Sequence, residues 1–200
     1  MSICASLGQE ISQGKVDHTY KEYMKVNNII NDAGEFILHF EEKDHRDKAI
    51  SIMIEFYEYM TQKDLTIFPM FGTLLGMIRE DDLIPHDGDI DFGYFSWQQD
   101  KLIQVLDDLH GKNGFSVIRN QFGDLFSVGK ENVLIDLYRY DDTGANSPQL
   151  LQGCRRPYDL LKSETLPFSV IEFRGCEMNR LANPEAFFAR HYGADWRTPK

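Results

Sequence analysis

A chain of 200 residues, 42% apolar and 12% aromatic, is long enough to bury roughly two thirds of its unfolded surface in one domain. It contains no run of about eighteen apolar residues of the kind that spans a membrane. A formal net charge of −11 excludes a nonspecific nucleic-acid binder, which needs a concentrated basic surface, although a nucleotide can still be held by a metal ion and a few placed cations. Cys4, Cys154 and Cys176 are far apart with no C-x-x-C pair, which supports neither a disulfide framework nor a zinc site. The first twenty residues lack the basic-then-apolar pattern of a secretory signal, so cytoplasmic residence is expected.

Along the chain, residues 20–39 carry Tyr23, Val26, Ile29, Ile30, Phe36 and Ile37 at loose helical spacing, broken by Gly34. Asp44 is a candidate cap for a second helix with an apolar stripe through Ile50, Ile52, Met53, Phe56, Tyr57 and Met60. Together they predict an N-terminal helical segment over 1–64, packed on a core over 65–200 within one continuous domain. "LTIFPMFG" reads as a strand entering a turn at Gly72, "TLLGMIRE" as a short helix, and "DIDFGYF" as a second strand. "WQQDKLIQVLDDLHGK" is an amphipathic helix closing near Gly111, followed by strand candidates "GFSVIRN", "DLFSVGK" and "NVLIDLYRY". "LPFSVIEFRGCEMNRL" predicts a hairpin turning at Arg174 and Gly175, and Asn183 with Pro184 an N-cap and first position for "PEAFFARHYG". The expected fold class is α/β or α+β, a mixed sheet flanked by helices.

The chemistry concentrates in "FGTLLGMIREDDLIPHDGDIDFGYF", where Asp87, Asp89 and Asp91 alternate. On an extended chain Asp89 and Asp91 share a face about 7 Å apart, with Ile90 and Phe92 on the other. Two such carboxylates repel unless a cation lies between them, and hard oxygen ligands suit Mg²⁺ or Mn²⁺. An acidic surface loop is the plain alternative, disfavoured by the apolar residues at strand spacing. A calcium loop fails, because Phe92 and Gln98 stand where that loop needs glycine and a bidentate glutamate.

A nucleotidyltransferase-like site accounts for more of the pattern. Gly72 and Thr73 open a helix where bare N–H groups can hold a phosphate, and Asp136 is a lone acid in an apolar strand that must face a cation or a cleft. Asp87 is either a further metal ligand or a turn former. Arg79 is a candidate phosphate clamp, with an ion pair to Glu80 or Asp82 as its alternative; Lys130 and Arg139 are weaker candidates. His86 is a substrate contact or a turn residue, Tyr192 and Trp196 stack on substrate or pack the last helix, and Glu80, Asp81 and Asp82 read as solvated.

With the glycine turn, the D-x-D strand and the later acid in this order, the sequence resembles the LicD/fukutin family of nucleotidyltransferase-fold phosphotransferases. That family's core reads approximately G-T-L-L-G-x-x-R and then I-P-W-D-D-D-I-D, against residues 72–79 and 84–91 here, with His86 in place of the tryptophan and Gly88 in place of the middle aspartate. "YGADWRTP", 192–199, is similar to the family's closing Y-G-x-x-W-x-x-P. The resemblance implies metal-dependent transfer of a phosphorylated small alcohol, such as phosphocholine or a polyol phosphate, from a CDP-linked donor to a glycan hydroxyl, releasing CMP. Asp89, Asp91 and Asp136 would be catalytic and, with Asp87, metal-binding, with Gly72, Thr73, Arg79 and Lys130 on the donor; such chemistry suits two ions about 4 Å apart. An NTP-using nucleotidyltransferase releasing pyrophosphate and a catalytically silent nucleotide- or glycan-binding module are the alternatives.

Overall fold

The computed structural model describes residues 21–22, 24–26, 39–121, 123–142, 144, 147–152 and 159–199. Most of the loose helical pattern over 20–39, together with Cys4 and Cys154, lies outside the described residues, whereas Cys176 is a buried free thiol.

Helix α1 (Lys43–Gln62) forms because its apolar residues recur at helical spacing, and Ile50, Met53, Phe56, Tyr57 and Met60 are all buried. Glu42, not Asp44, is the N-cap, without a side-chain cap bond; Asp44 lies in the first turn, where its charge suits the helix dipole. Strand β1 (Ile67–Pro69) passes almost directly into helix α2 (Phe71–Arg79). The expected turn at Gly72 is therefore already helix. Phe71 makes this abrupt switch at φ 45°, an uncommon conformation for a bulky side chain, with its ring edge-on to Tyr138 at 5.2 Å.

Strand β2 (Ile90–Phe95), a short 3₁₀ turn (Ser96–Gln98) and helix α3 (Gln99–Leu109) follow. Three long strands then form an antiparallel meander: β3 (Ser116–Gln121), β4 (Leu125–Lys130) and β5 (Val133–Asp142). Beyond them come β6 (Gln149–Gln152), β7 (Leu160–Leu161) and a one-turn helix α4 (Lys162–Thr165), none of which the sequence announced. The hairpin of β8 (Ser169–Phe173) and β9 (Cys176–Arg180) turns at Arg174 and Gly175, both at positive φ. Helix α5 (Pro184–Tyr192) is capped by Asn183, whose Oδ1 accepts the amide of Ala186 at 3.2 Å.

The main sheet runs β1-β2-β5-β4-β3, with β6 continuing from β5 and β7 from β6. β2 and β5 are parallel and the other pairs antiparallel, which makes it a mixed α/β sheet with helices on both faces. One face packs α1 and α3 through Phe56, Leu102, Leu106, Phe92, Val128 and Ile135. The other packs α2 and α5 through Leu74, Phe187, Phe188, Tyr138 and Tyr140. Since side chains alternate along each strand, residue parity decides which layer a group enters. Among the described residues no helix is long and apolar enough to cross a membrane.

Candidate active site

The register places Asp91 of β2 beside Asp136 of β5, Asp136 beside Ser127 of β4, and Ser127 beside Arg119 of β3. These positions form one row across four strands. Asp89 reaches the same point from the residue before β2, so that Asp89, Asp91 and Asp136 each offer an oxygen within 4.8 Å of the others. Asp91 and Asp136 are buried, and parity sends their neighbours Phe92, Ile135 and Leu137 into the opposite core layer.

Helix α2 is clamped to this row. The Asp91 amide donates to Thr73 Oγ1 at 2.9 Å, and the Met70 amide donates to the Asp91 carbonyl at 2.9 Å. Thr73 is buried, and its hydroxyl oxygen ties the first turn of α2 to Asp91. Gly72 does face the site. A Cβ there would lie 1.9 Å from Asp87 Oδ2, so only glycine lets the carboxylate come this close to the start of α2.

The buried acid Asp136 meets a cation, as its isolation in an apolar strand demanded, but that cation is Arg119. Arg119 Nη2 donates to Asp136 Oδ2 at 2.7 Å and its Nε to Ser127 Oγ at 2.7 Å, while the Ser127 hydroxyl donates to Asp136 Oδ1. At Asp89 the Arg119 charge is outweighed: desolvation first, then the charges of Asp136 and Asp87, hold it well above the usual carboxylate range. Burial likewise raises Asp87. Burial, followed by the charges of Asp91, Asp136 and Asp89, pushes the Tyr138 phenol far upward, so it stays protonated as a donor. Three hard oxygen donors converging with excess negative charge fit a divalent cation such as Mg²⁺ or Mn²⁺.

A cavity of about 430 Å³ opens beside the row, lined by Gly72, Arg79, His86, Asp87, Asp91 and Trp196 among others, a size in the range of small-ligand clefts. Arg79 is in the cavity wall and ion-paired: its Nε donates to Glu80 Oε1 at 3.0 Å and its Nη1 to the Trp196 carbonyl at 3.3 Å. Trp196 likewise packs on Phe188, with centroids 4.9 Å apart, while lining the cavity with Tyr192. His86 is in the wall as well.

Other expectations are corrected by the geometry. Lys130 points to the opposite face of the sheet, where its Nζ donates to Glu55 of α1 at 2.6 Å and lies 4.6 Å from the Phe115 ring centroid. It pairs with Val133 in register, the wrong parity for Asp136. Arg139 is bound to Asp124 at 2.7 Å and Asp141 at 3.1 Å. Neither Glu80 nor Asp82 is simply solvated: Glu80 binds Arg79, and Asp82 accepts from Arg46 Nε and the Leu83 amide, each at 2.9 Å. Arg119, Ser127 and Tyr138 went unnoticed in the sequence, since nothing local marks them; only the strand register connects them to Asp136.

Residues 64–180 match the family described as LicD/FKTN/FKRP, nucleotidyltransferase domain. No curated protein matches the chain. Among solved structures, the crystal structure of ANT(2")-Ia in complex with adenylyl-2"-tobramycin is similar at 16% identity and a TM-score of 0.45, over 74% of this chain and 77% of that one. A solution structure of the antibiotic-resistance factor ANT(2'')-Ia is similar at 15% identity and a TM-score of 0.49, over 75% and 74%. The matched span 64–180 contains Gly72, Asp89, Asp91, Arg119 and Asp136, and the chain belongs to the LicD/FKTN/FKRP family.

Proposed function

We propose that this protein transfers a phosphorylated small alcohol from a CDP-linked donor to a hydroxyl of a glycan, releasing CMP. The observation that carries the reading is the convergence of Asp89, Asp91 and Asp136, of which Asp91 lines a cavity whose wall also holds Gly72, Arg79 and Asp87. Membership of the family implies a transferase, and the donor and acceptor classes are our reading of this site.

In this reading the start of α2 and the Arg79 guanidinium bind the donor diphosphate, the first through N–H groups aligned with the helix dipole and the second as a planar fork. Asp89, Asp91 and Asp136 hold Mg²⁺ or Mn²⁺, which when bound supplies charge neutralisation at the diphosphate and lowers the acceptor hydroxyl's pKa. Asp136 faces the acceptor side and either holds that ion or takes the hydroxyl proton. Thr73 keeps Asp91 in register by holding its amide. The Tyr138 phenol, kept neutral by its surroundings, can donate a hydrogen bond without adding charge. Tyr192 and Trp196 offer flat apolar surface to the base or sugar.

The test is incubation of the full chain with CDP-choline, CDP-ribitol, CDP-glycerol or CTP, with Mg²⁺ and a glycan acceptor, scoring CMP against pyrophosphate. CMP formed from a CDP-alcohol and abolished by chelation is the expected result. Pyrophosphate from CTP would make the protein an NTP-using nucleotidyltransferase, and nucleotide binding with neither product would make it a silent module.

A further inference from the structure

Arg119 is the charged group nearest the carboxylates that neither the family motifs nor the local sequence singled out. It sits on β3, an edge strand of the sheet, and reaches the site because of a local irregularity. Val117 pairs with Val128 and Arg119 pairs with Ser127, so Ile118 is an extra residue between two consecutive partners on β4. On a regular strand Val117 and Arg119, two positions apart, would share a face. Here Val117 joins the α1 and α3 layer with Val128, while Arg119 lies on the carboxylate face with Ser127 and Asp136. A β-bulge is a recognised device for re-aiming a side chain without giving up the flanking pairing.

The guanidinium so aimed is fixed at both ends of its fork. Nε is held by Ser127 Oγ and Nη2 by Asp136 Oδ2, while Ser127 donates to the remaining oxygen of Asp136. Arg119 approaches from the β4 and β3 side and Asp91 lies on the β2 side of Asp136. Both oxygens of Asp136 are thus engaged from the β4 and β3 side, one of them by a permanent cation.

We propose that Arg119 is the fixed positive charge of the site and stands in place of a second divalent ion, so that the triad holds one ion and not two. This rests on the metal-dependent reading given above and deepens it. Arg119 is a positioning residue: it acts through Asp136, holding that carboxylate's orientation beside Asp91 together with Ser127.

Counting Mn²⁺ on the full chain by electron paramagnetic resonance of the free ion tests the assignment without any donor. The expected counts are one ion in the wild type, one in Arg119→Lys and two in Arg119→Met, where loss of the guanidinium frees Asp136 Oδ2. With whichever donor releases CMP, Arg119→Met should lose on the order of 10²-fold in kcat and become sigmoidal in Mg²⁺, and Arg119→Lys should recover part of the loss. Should Arg119→Met fail to fold, the wild-type and Arg119→Lys counts carry the test. Two ions in the wild type or in Arg119→Lys, or one in a folded Arg119→Met protein, overturns the proposal even if CMP release is normal. No ion in the wild type overturns it together with the metal reading. A wild-type count of one with no CMP from any donor refutes the reaction and leaves the role of Arg119 standing.

Discussion

Two cations on the same three-stranded meander meet different fates. Arg119 of β3 crosses to Asp136 and Ser127 on the face toward α2, whereas Lys130, at the end of β4, turns to Glu55 of α1 on the other face. In sequence Lys130 is much nearer Asp136, which makes it the readier donor-binding candidate. Strand parity reverses that choice: Lys130 shares its parity with Phe126 and Val128, which are core residues of the α1 layer. A bulge gives Arg119 the parity that regular alternation from Val117 would deny it. Proximity along the chain is thus a poor guide to a site built across strands, and register is a good one.

The largest effect should come from the row itself. Asp91→Asn and Asp136→Asn each keep the shape but remove a charge from the carboxylate face, and each should lower CMP release by on the order of 10³-fold or more, measured under saturating donor. Near-normal turnover in both variants would show that the polar face is as structural as the face holding Lys130, and the contrast between the two would collapse.

Gly72→Ala sharpens the comparison at the other wall of the cavity. The new Cβ would meet Asp87 Oδ2 at 1.9 Å and force that carboxylate aside at the start of α2. Roughly tenfold lower kcat/KM is expected, carried mainly by donor KM, because the backbone N–H groups proposed to bind phosphate would lose their close approach. An unchanged KM would place the donor phosphates elsewhere.

Asp89 provides a test that needs no substrate. Its folded-state pKa is raised well above the ordinary value of 3.8 by desolvation and by Asp136 and Asp87, so between that value and the raised one the folded state binds more protons than the unfolded chain. The stability it contributes is present at low pH and is lost as pH rises through the folded pKa. In metal-free protein Asp89→Asn should therefore raise the melting temperature near neutral pH, flatten this decline and abolish the stabilisation that Mg²⁺ gives the wild type. A lower melting temperature in the variant at neutral pH would mean that Asp89 already has a favourable partner.

The same physics explains what the sequence disclosed. Asp89 and Asp91 were legible because short-range alternation sets which way they point, and Asp136 because a lone acid in an apolar strand must answer for its burial. The β8–β9 turn at Arg174 and Gly175 and the Asn183 cap were legible for a similar reason: each depends on one or two residues. Strands β6 and β7, four residues and two residues long, are too short to show a period and owe their state to pairing with β5 and with each other. The hydrogen bond of Thr73 to Asp91 was not legible, since it spans eighteen positions. Arg119 was hidden because a bulge cancels the very alternation by which a strand is recognised.

The smallest effect, and the sharpest control, is expected from Lys130→Met. Methionine keeps apolar volume beside the Phe115 ring and removes the bond to Glu55 together with the ammonium's contact with that ring at 4.6 Å. Glu55 retains 39% of its side-chain exposure, so water can take over its carboxylate, and the loss should be about 1 kcal/mol, a fall of about 3 °C in melting temperature. Turnover should stay within about twofold of wild type, as for a residue remote from the site. If Lys130→Met instead matched Arg119→Met in turnover while melting normally, the two faces of the meander would be electrostatically coupled through the sheet, and parity alone could not separate the cation beside the site from the structural one.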